Sequence, residues 1–428
     1  MSLVQKFGGG ILATKSDFQT VAKIVEKTNP TVVVVSAVQG VTDELISLLG
    51  IAKNGKDFSK QLEKLRSKHA ELNDKKTGEI EKVFSEIEKV LKGVSYTGEY
   101  SDKLYASVVS RGEYLSAIIL QSYLKDYVFW PAENGITATG SYINARCDFE
   151  NMKKPPAKSI VTGFYGVNEK KEVCLFGRGG SDYSAGIIAK TLNAEKIEFW
   201  KNVDGFMTAD PRIVKNARFI SQLSFEEAAE LCRFGAKILH PSSLEPLHKN
   251  KTVVEIKNVF KPKEKGTRIS QVKGNNEIAA VTGRKNLAAI SISGNEMVEA
   301  FGIAAKILTR VADANIPVDV IATGQANISF TVEEKDALAA KEALRGLEQF
   351  EIRHKEGLAL IGIVGNGIKG NPKVISQVFA ALSKQGIKSE MISQGASEID
   401  LSIIVSQEQY EKAIQNIHQE FFSGKKVN

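Results

Sequence analysis

"TVVVVSA" (residues 31–37) is the stretch that decides the fold. Four successive valines with no polar alternation leave neither side of the chain suited to water, so they predict a strand buried on both faces of a parallel sheet. Just upstream, "LVQKF" (3–7) is a second short apolar run. Between the two, Ser16 followed by Gln19 has the spacing of a capping box and predicts a helix through about Lys27. Buried strands alternating with amphipathic helices mean an α/β fold, with a mainly parallel sheet sandwiched by helices.

Bulk properties agree. A chain of 428 residues is long enough for several domains and a cleft, and a net charge of +7 spread over it without long like-charge runs is no nucleic-acid footprint. Cys147, Cys174 and Cys232 are odd in number and far apart, which fits neither a disulfide framework nor a zinc site and suits a reducing cytoplasm. No apolar run is long enough to span a membrane and the N-terminus has no signal-peptide pattern, so no membrane partner is expected.

Residues 55–92 carry Lys, Glu, Leu and Ile at helical spacing, residues 161–176 predict two strands joined by a polar turn, and 195–205 predicts a strand ending in Asp-Gly. "KPKEKGTRIS" (261–270), polar and holding Pro and Gly, is the expected domain boundary. Beyond it an internal repeat begins. Residues 306–324 and 377–395 superpose at one constant offset, matching Val311 to Leu382, Ile316 to Ile387, Ile321 to Ile392 and Gly324 to Gly395. Each copy predicts strand, helix, strand, strand, helix, with second strands at 318–322 and 389–393. Units this small gain most by packing sheet edge on sheet edge, with each other or with another chain.

Three glycine-bearing turns stand where strands should pass into helices: "KFGGG" (6–10), "SAVQGVTDE" (36–44) and "FGRGGSDYSAG" (176–186). Unsatisfied helix N–H groups attract anions there, Arg178 adds a fixed fork of donors, and Ser181 and Asp182 are candidate caps of the following helix. Together the turns outline a site for a phosphorylated ligand. The Walker A pattern, the G-x-G-x-x-G fingerprint and the protein-kinase signatures are all absent, so a different nucleotide fold is implied. "SRGEYLSA" (110–117) sets Glu113 at a helix start, and "FGAKILHP" (234–241) sets Lys237 after a glycine that ends a helix capped by Ser224 and Glu227. The scattered histidines suggest neither a triad nor a metal centre. Phosphoryl transfer requires neither, because positioning and neutralising cations carry most of it.

In this order, "KFGG", "SAVQGVTDE", "SRGEYLSA", "FGRGGSDYSA", "VDGFMTADPR" and "EAAELCRFGAKILHP", followed by two ACT-type units with "ISQGASEIDLS" in the second, the chain resembles the aspartokinase family from end to end. The resemblance implies an amino-acid-kinase catalytic domain at 1–262, a linker at 263–277, and ferredoxin-like ACT units at 278–350 and 351–428. It also implies phosphorylation of the side-chain carboxylate of L-aspartate by ATP with Mg²⁺.

Carried over by position, the resemblance gives Lys6 the transferring phosphoryl group, with Gly8, Gly9 and Gly10 baring amides to the phosphates. Arg178 takes the aspartate α-carboxylate and Glu113 its α-ammonium, beside Ser36, Thr42 and Ser181. Asp182 organises the lysines and Mg²⁺, Asn202, Asp210 and Arg212 lie on the adenosine side, and Lys237 binds phosphates. Met297, Asp319, Thr323 and Gln325 become candidate contacts for an amino-acid effector, lysine or threonine, at an interface of a homodimer or homotetramer formed through the ACT units.

The sequence departs from the family pattern in three places: Lys201-Asn202 where many members have Thr-Asp, Met207 where they have Tyr, and Gly10 where Thr or Ser is usual. No second enzymatic domain is expected after Phe422. Two rival readings are a kinase of another amino acid, such as glutamate, and a non-catalytic amino-acid sensor on the same scaffold, which the changed positions 201–207 would favour.

Overall fold

Val32–Val35 forms a strand whose four side chains are all fully buried, each valine contributing about 1.5–3 kcal/mol by leaving water. In the computed structural model, which describes residues 2–74, 78–236, 238–248, 250–272, 277–298, 301–347, 349–395 and 399–423, this strand pairs in parallel with Leu3–Phe7 on one side and Ser159–Thr162 on the other. The sheet continues from Leu3–Phe7 to Lys196–Lys201 and Val253–Asn258, and from Ser159–Thr162 to Val128–Trp130, all in parallel. Thr267–Ser270 adds an antiparallel strand beside Val253–Asn258. The polar stretch at 261–270 is therefore largely a connection within the sheet, and its last residues are one of the strands. Helices Lys15–Thr28, Val41–Lys53, Arg111–Tyr123 and Gly180–Thr191 accompany the strands. The helix-rich stretch at 55–92 is realised as Ser59–Leu72 and Gly78–Thr97.

The cap of the first helix differs from expectation. Thr14, and not Ser16, is the N-cap: its side chain accepts from Asp17 N–H while the Asp17 carboxylate accepts from Thr14 N–H at 2.8 Å. Ser224 and Glu227 form the expected box at the helix Phe225–Arg233.

The chain divides into two compact units, Met1–Phe206 with Ile238–Gln271, and Met207–Lys237 with Val272–Asn428. In the second, six strands form one antiparallel sheet in the order Ile321–Thr323, Asn327–Glu333, Ala280–Ser293, Glu351–Val364, Asp400–Ser406, Met391–Ser393. The two repeats do pack on each other through their sheets. The central pair of strands serves two separate cores, with a register shift between Arg284 and Ala289. Ala288, Ile290 and Ile292 line one core with Val311 and Ile316, whereas Val281, Ile361 and Ile363 line the other with Leu382 and Ile387. Residues matched by the repeat thus hold equivalent core positions. The strand expected at 318–322 starts later, at Ile321, although Asp319 N–H and Val320 C=O still bond to Thr331.

Residues 207–237 are held in this unit by contacts far apart in sequence. The Glu227 carboxylate accepts from Asn366 N–H at 3.1 Å, and Thr208 Oγ1 lies 2.8 Å from His418 Nε2. Among the described residues no helix is long and apolar enough to cross a membrane.

Candidate active site

In a parallel sheet the carboxyl ends of all strands open on one edge, and a ligand crevice forms there. Leu3–Phe7 and Val32–Val35 end on two of the glycine turns, and the third leads into the helix Gly180–Thr191. A Cβ on Gly9 would sit 2.8 Å from Ala37 O, so only glycine lets the first turn lie backbone to backbone against the second. Gly179, with φ +72°, is the N-cap of Gly180–Thr191, and a Cβ there would run into the His240 side chain. Ser181 and Asp182 are therefore not the caps. Neither this helix nor Val41–Lys53, which starts at Gly40, has a side-chain cap; the amides of Gly180 and Val41 bond to Gly177 and Val38 O, and those of the next two residues of each helix stay available to an anion.

The three turns enclose a cavity of about 360 Å³, lined by Lys6, Gly9, Gly10, Ser36, Thr42, Glu113, Arg178, Ser181 and Asp182 among others. These nine residues, scattered over 177 positions of sequence, come together as expected. Gly8 adjoins them, leaving open the space beside the Lys6 ammonium.

Charge is concentrated on one face of the cavity. Lys6 lies on a central strand, 3% exposed, and pairs with the Asp182 carboxylate. Lys201 Nζ meets the other oxygen of Asp182 at 2.8 Å. Burial is the largest influence on Asp182 and favours its neutral form, yet the ammonium groups of Lys201 and Lys6 prevail and bring its pKa down to about 2. Burial brings Lys6 down to about 8 against the pull of Asp182, with the like charge of Lys201 acting in the same direction as burial. Lys201 had stood out in the sequence only as a departure. Its role is set by strand geometry: Lys6 is in register with Phe199, so Lys201, two residues on, shares its face of the sheet.

Glu113 occupies the first turn of Arg111–Tyr123 and is 3% exposed. Burial drives its pKa up to about 8, although the Ala37 amide and Ser181 favour the carboxylate. Ser181 Oγ lies 3.4 Å from Glu113 Oε1, while Oε2 is buried without a hydrogen-bond partner. A buried acceptor of this kind invites a donor from a ligand, and a cationic one would ionise it. Arg178 is exposed on the turn before Gly180 and lines the cavity. The assembly can hold an anion chain along bare amides and ammonium groups, and an amine beside Glu113.

Of the remaining candidates, the described ones are not among the residues lining this cavity. Asn202 is exposed on a bend after the Lys196–Lys201 strand. Asp210 and Arg212 belong to the second unit and pair with each other, Arg212 Nη2 donating to Asp210 Oδ2 at 2.6 Å. Lys237 lies outside the described residues. Met297 is packed in the first ACT-type core. Asp319 is engaged by Arg284, whereas Thr323 and Gln325 are exposed at and just beyond the end of the Ile321–Thr323 strand. Asp182, tied to two ammonium groups, does not fit as a resident metal ligand, and no group of three His, Cys, Asp or Glu suited to a metal occurs among the described residues.

Residues 1–258 match the model of the amino acid kinase family, and residues 290–346 and 361–421 match an ACT domain. The aspartokinase of Geobacillus stearothermophilus is 31% identical, over 98% of this chain and 97% of its own length. The bifunctional aspartokinase/homoserine dehydrogenase of Buchnera aphidicola is 30% identical, and the chain spans 57% of that protein's length. E. coli aspartokinase III, 27% identical, superposes with a TM-score of 0.84 in its complex with aspartate and ADP, covering 99% of this chain and 100% of the other. In its complex with lysine and aspartate the TM-score is 0.78, with the same coverage.

Proposed function

This chain belongs to the amino acid kinase family and, within it, to the aspartokinases, and we propose that it transfers the γ-phosphoryl group of ATP to the side-chain carboxylate of L-aspartate. The product is 4-phospho-L-aspartate, the first step toward lysine, threonine and methionine, under feedback control through the ACT units. The observation that carries this reading is one cavity lined by Lys6 and Asp182, the latter paired also with Lys201, together with an amine acceptor, Glu113, and an anion receptor, Arg178. Helix-start amides and Lys6 take the phosphates. Glu113 holds the substrate α-ammonium and Arg178 its α-carboxylate, which turns the side-chain carboxylate toward the γ-phosphorus for in-line attack. Lys6 neutralises charge that grows in the transition state. Magnesium enters as part of the substrate, Mg·ATP.

ADP release with aspartate and with glutamate tests the substrate. Turnover with aspartate at least tenfold more efficient than with glutamate supports the reading, and the reverse preference refutes it. Arg178→Ala is expected to raise the aspartate KM on the order of 10–100-fold, the worth of a charge-assisted bidentate contact, and to lower kcat. An effect confined to the ATP KM would remove Arg178 from this role.

A pH effect follows from Glu113. Its carboxyl, with a pKa of about 8, is largely protonated at neutral pH, and binding an ammonium requires the proton to leave. At saturating nucleotide, whose phosphates keep Lys6 charged, the aspartate KM should fall as pH rises from about 6.5 to 8, by up to roughly tenfold per unit. In Glu113→Gln it should be high and flat. A wild-type aspartate KM indifferent to pH over that range would detach Glu113 from the amine.

The effector reading extends the lysine complex of E. coli aspartokinase III to this chain. An effector ammonium reaching Asp319 has first to displace Arg284, so the chain's own guanidinium competes for that carboxylate. Such binding, at an interface between two or four copies, lowers activity by favouring a poorly aligned state of the catalytic unit.

A further inference from the structure

A buried carboxylate needs one cation to neutralise it, and Asp182 has two. Lys6 satisfies one oxygen from the Leu3–Phe7 strand and Lys201 the other from the neighbouring strand, with side-chain exposures of 4% and 19%. The excess charge is held in place by the fold, because parallel register puts both lysines on the face that meets the helix bearing Asp182. Holding two ammonium groups on one carboxylate costs free energy through their mutual repulsion, and the centre offers an anion a net positive charge at low exposure.

We propose that Lys201 is a positioning residue of the phosphate site: by taking the second oxygen of Asp182 it leaves the Lys6–Asp182–Lys201 centre with one uncompensated positive charge, which the triphosphate neutralises on binding. This rests on the kinase reading above. It adds a group at the very position where the sequence departs from the family pattern.

The groups facing Lys6 are Asp182 from its helix, Lys201 from the adjacent strand and Glu113 from the Arg111–Tyr123 helix, while Asp182 and Arg178 both bear on the His240 imidazole. Removing the positive charge at 201 relieves Lys6 of a like charge, so Lys6 keeps its proton to higher pH. Glu113 is present in both proteins compared, so the difference between them reports on Lys201.

The test uses Lys201→Met, which preserves length without charge, and Lys201→Arg, which preserves charge. Mg·ATP affinity is measured by calorimetry in the absence of aspartate, alongside full kinetics and the pH profile of kcat/KM for ATP. For Lys201→Met the Mg·ATP Kd and KM are expected to rise about tenfold and the alkaline limb to move up by about one pH unit, with the aspartate KM changed less than twofold. Lys201→Arg should restore wild-type nucleotide affinity and the position of the limb. Unchanged Mg·ATP affinity in Lys201→Met, or a loss that arginine fails to rescue, overturns the proposal. Because affinity is read without turnover, failure of the wild type to phosphorylate aspartate would count against the kinase reading alone.

Discussion

Replacing Lys6 with alanine lowers kcat at saturating Mg·ATP and aspartate by about 10³-fold or more, the scale on which a single cation or donor to a transferring or developing anion acts, while the folded protein loses little stability. The second half of this expectation follows from Lys201. Stripping one partner from a buried ion pair ordinarily leaves a stranded charge, but in Lys6→Ala the Asp182 carboxylate still has the Lys201 ammonium at 2.8 Å. The thermal midpoint should move by no more than about 1 °C, corresponding to roughly 1 kcal/mol in a protein of this size. Retention of more than a tenth of wild-type kcat would mean that Lys6 does not meet the reacting phosphoryl group.

Asp182→Asn reverses the balance. Here two ammonium groups face one another across an amide, in a place where both had relied on a carboxylate. Breaking a buried pair by removing its shared partner costs about 3–5 kcal/mol, so the midpoint should drop by roughly 3–6 °C, and kcat should fall with it because Lys6 loses both its charge and its place. The pH dependence has a definite sign. Asp182 has a folded pKa of about 2, below its unfolded value, so its stabilising contribution is complete above about pH 4 and is lost as pH falls through about 2. The gap in stability between wild type and variant should therefore be widest near neutrality and narrow in acid. A constant gap down to pH 2 would mean that the variant acts through packing and not through charge. Of the two substitutions at one ion cluster, one thus removes chemistry and the other removes structure as well.

Much of the molecule was legible from local pattern because the physics there is local. Val32–Val35 excluded water from both faces, and the constant offset between the repeats placed Val311 with Leu382 and Ile316 with Ile387 in equivalent cores. Ser224 and Glu227 capped the helix their spacing announced. The cap expected at Ser16 with Gln19 formed two residues earlier, because the Asp17 carboxylate turns back to accept from the amides of Ala13 and Thr14.

What local pattern could not carry was partnership across the chain. Residues 207–237 join the second unit through His418 and Asn366, groups 210 and 139 positions away. Asp210 and Arg212 fall in that unit as well and pair with each other there. The strand Glu351–Val364 begins in one core and ends in the other, which no count of its apolar residues reveals.

The candidate site was legible as a set of residues and not as a circuit. Lys6, Glu113, Arg178 and Asp182 could be named from motif, but the assignment of Asp182 to two lysines required the register that aligns Lys6 with Phe199 and hence brings Lys201 to the same face. Once that register is known, the departure from the family pattern at 201 becomes a second ammonium group on Asp182.

A crystal structure with aspartate and a non-hydrolysable ATP analogue tests the central claim most directly. The account predicts the terminal phosphates within hydrogen-bond reach of Lys6 Nζ and of the amides that open Gly180–Thr191, with the aspartate ammonium on Glu113 and its α-carboxylate on Arg178. Phosphates bound away from Lys6, or an amino acid seated without Glu113 and Arg178, would contradict it.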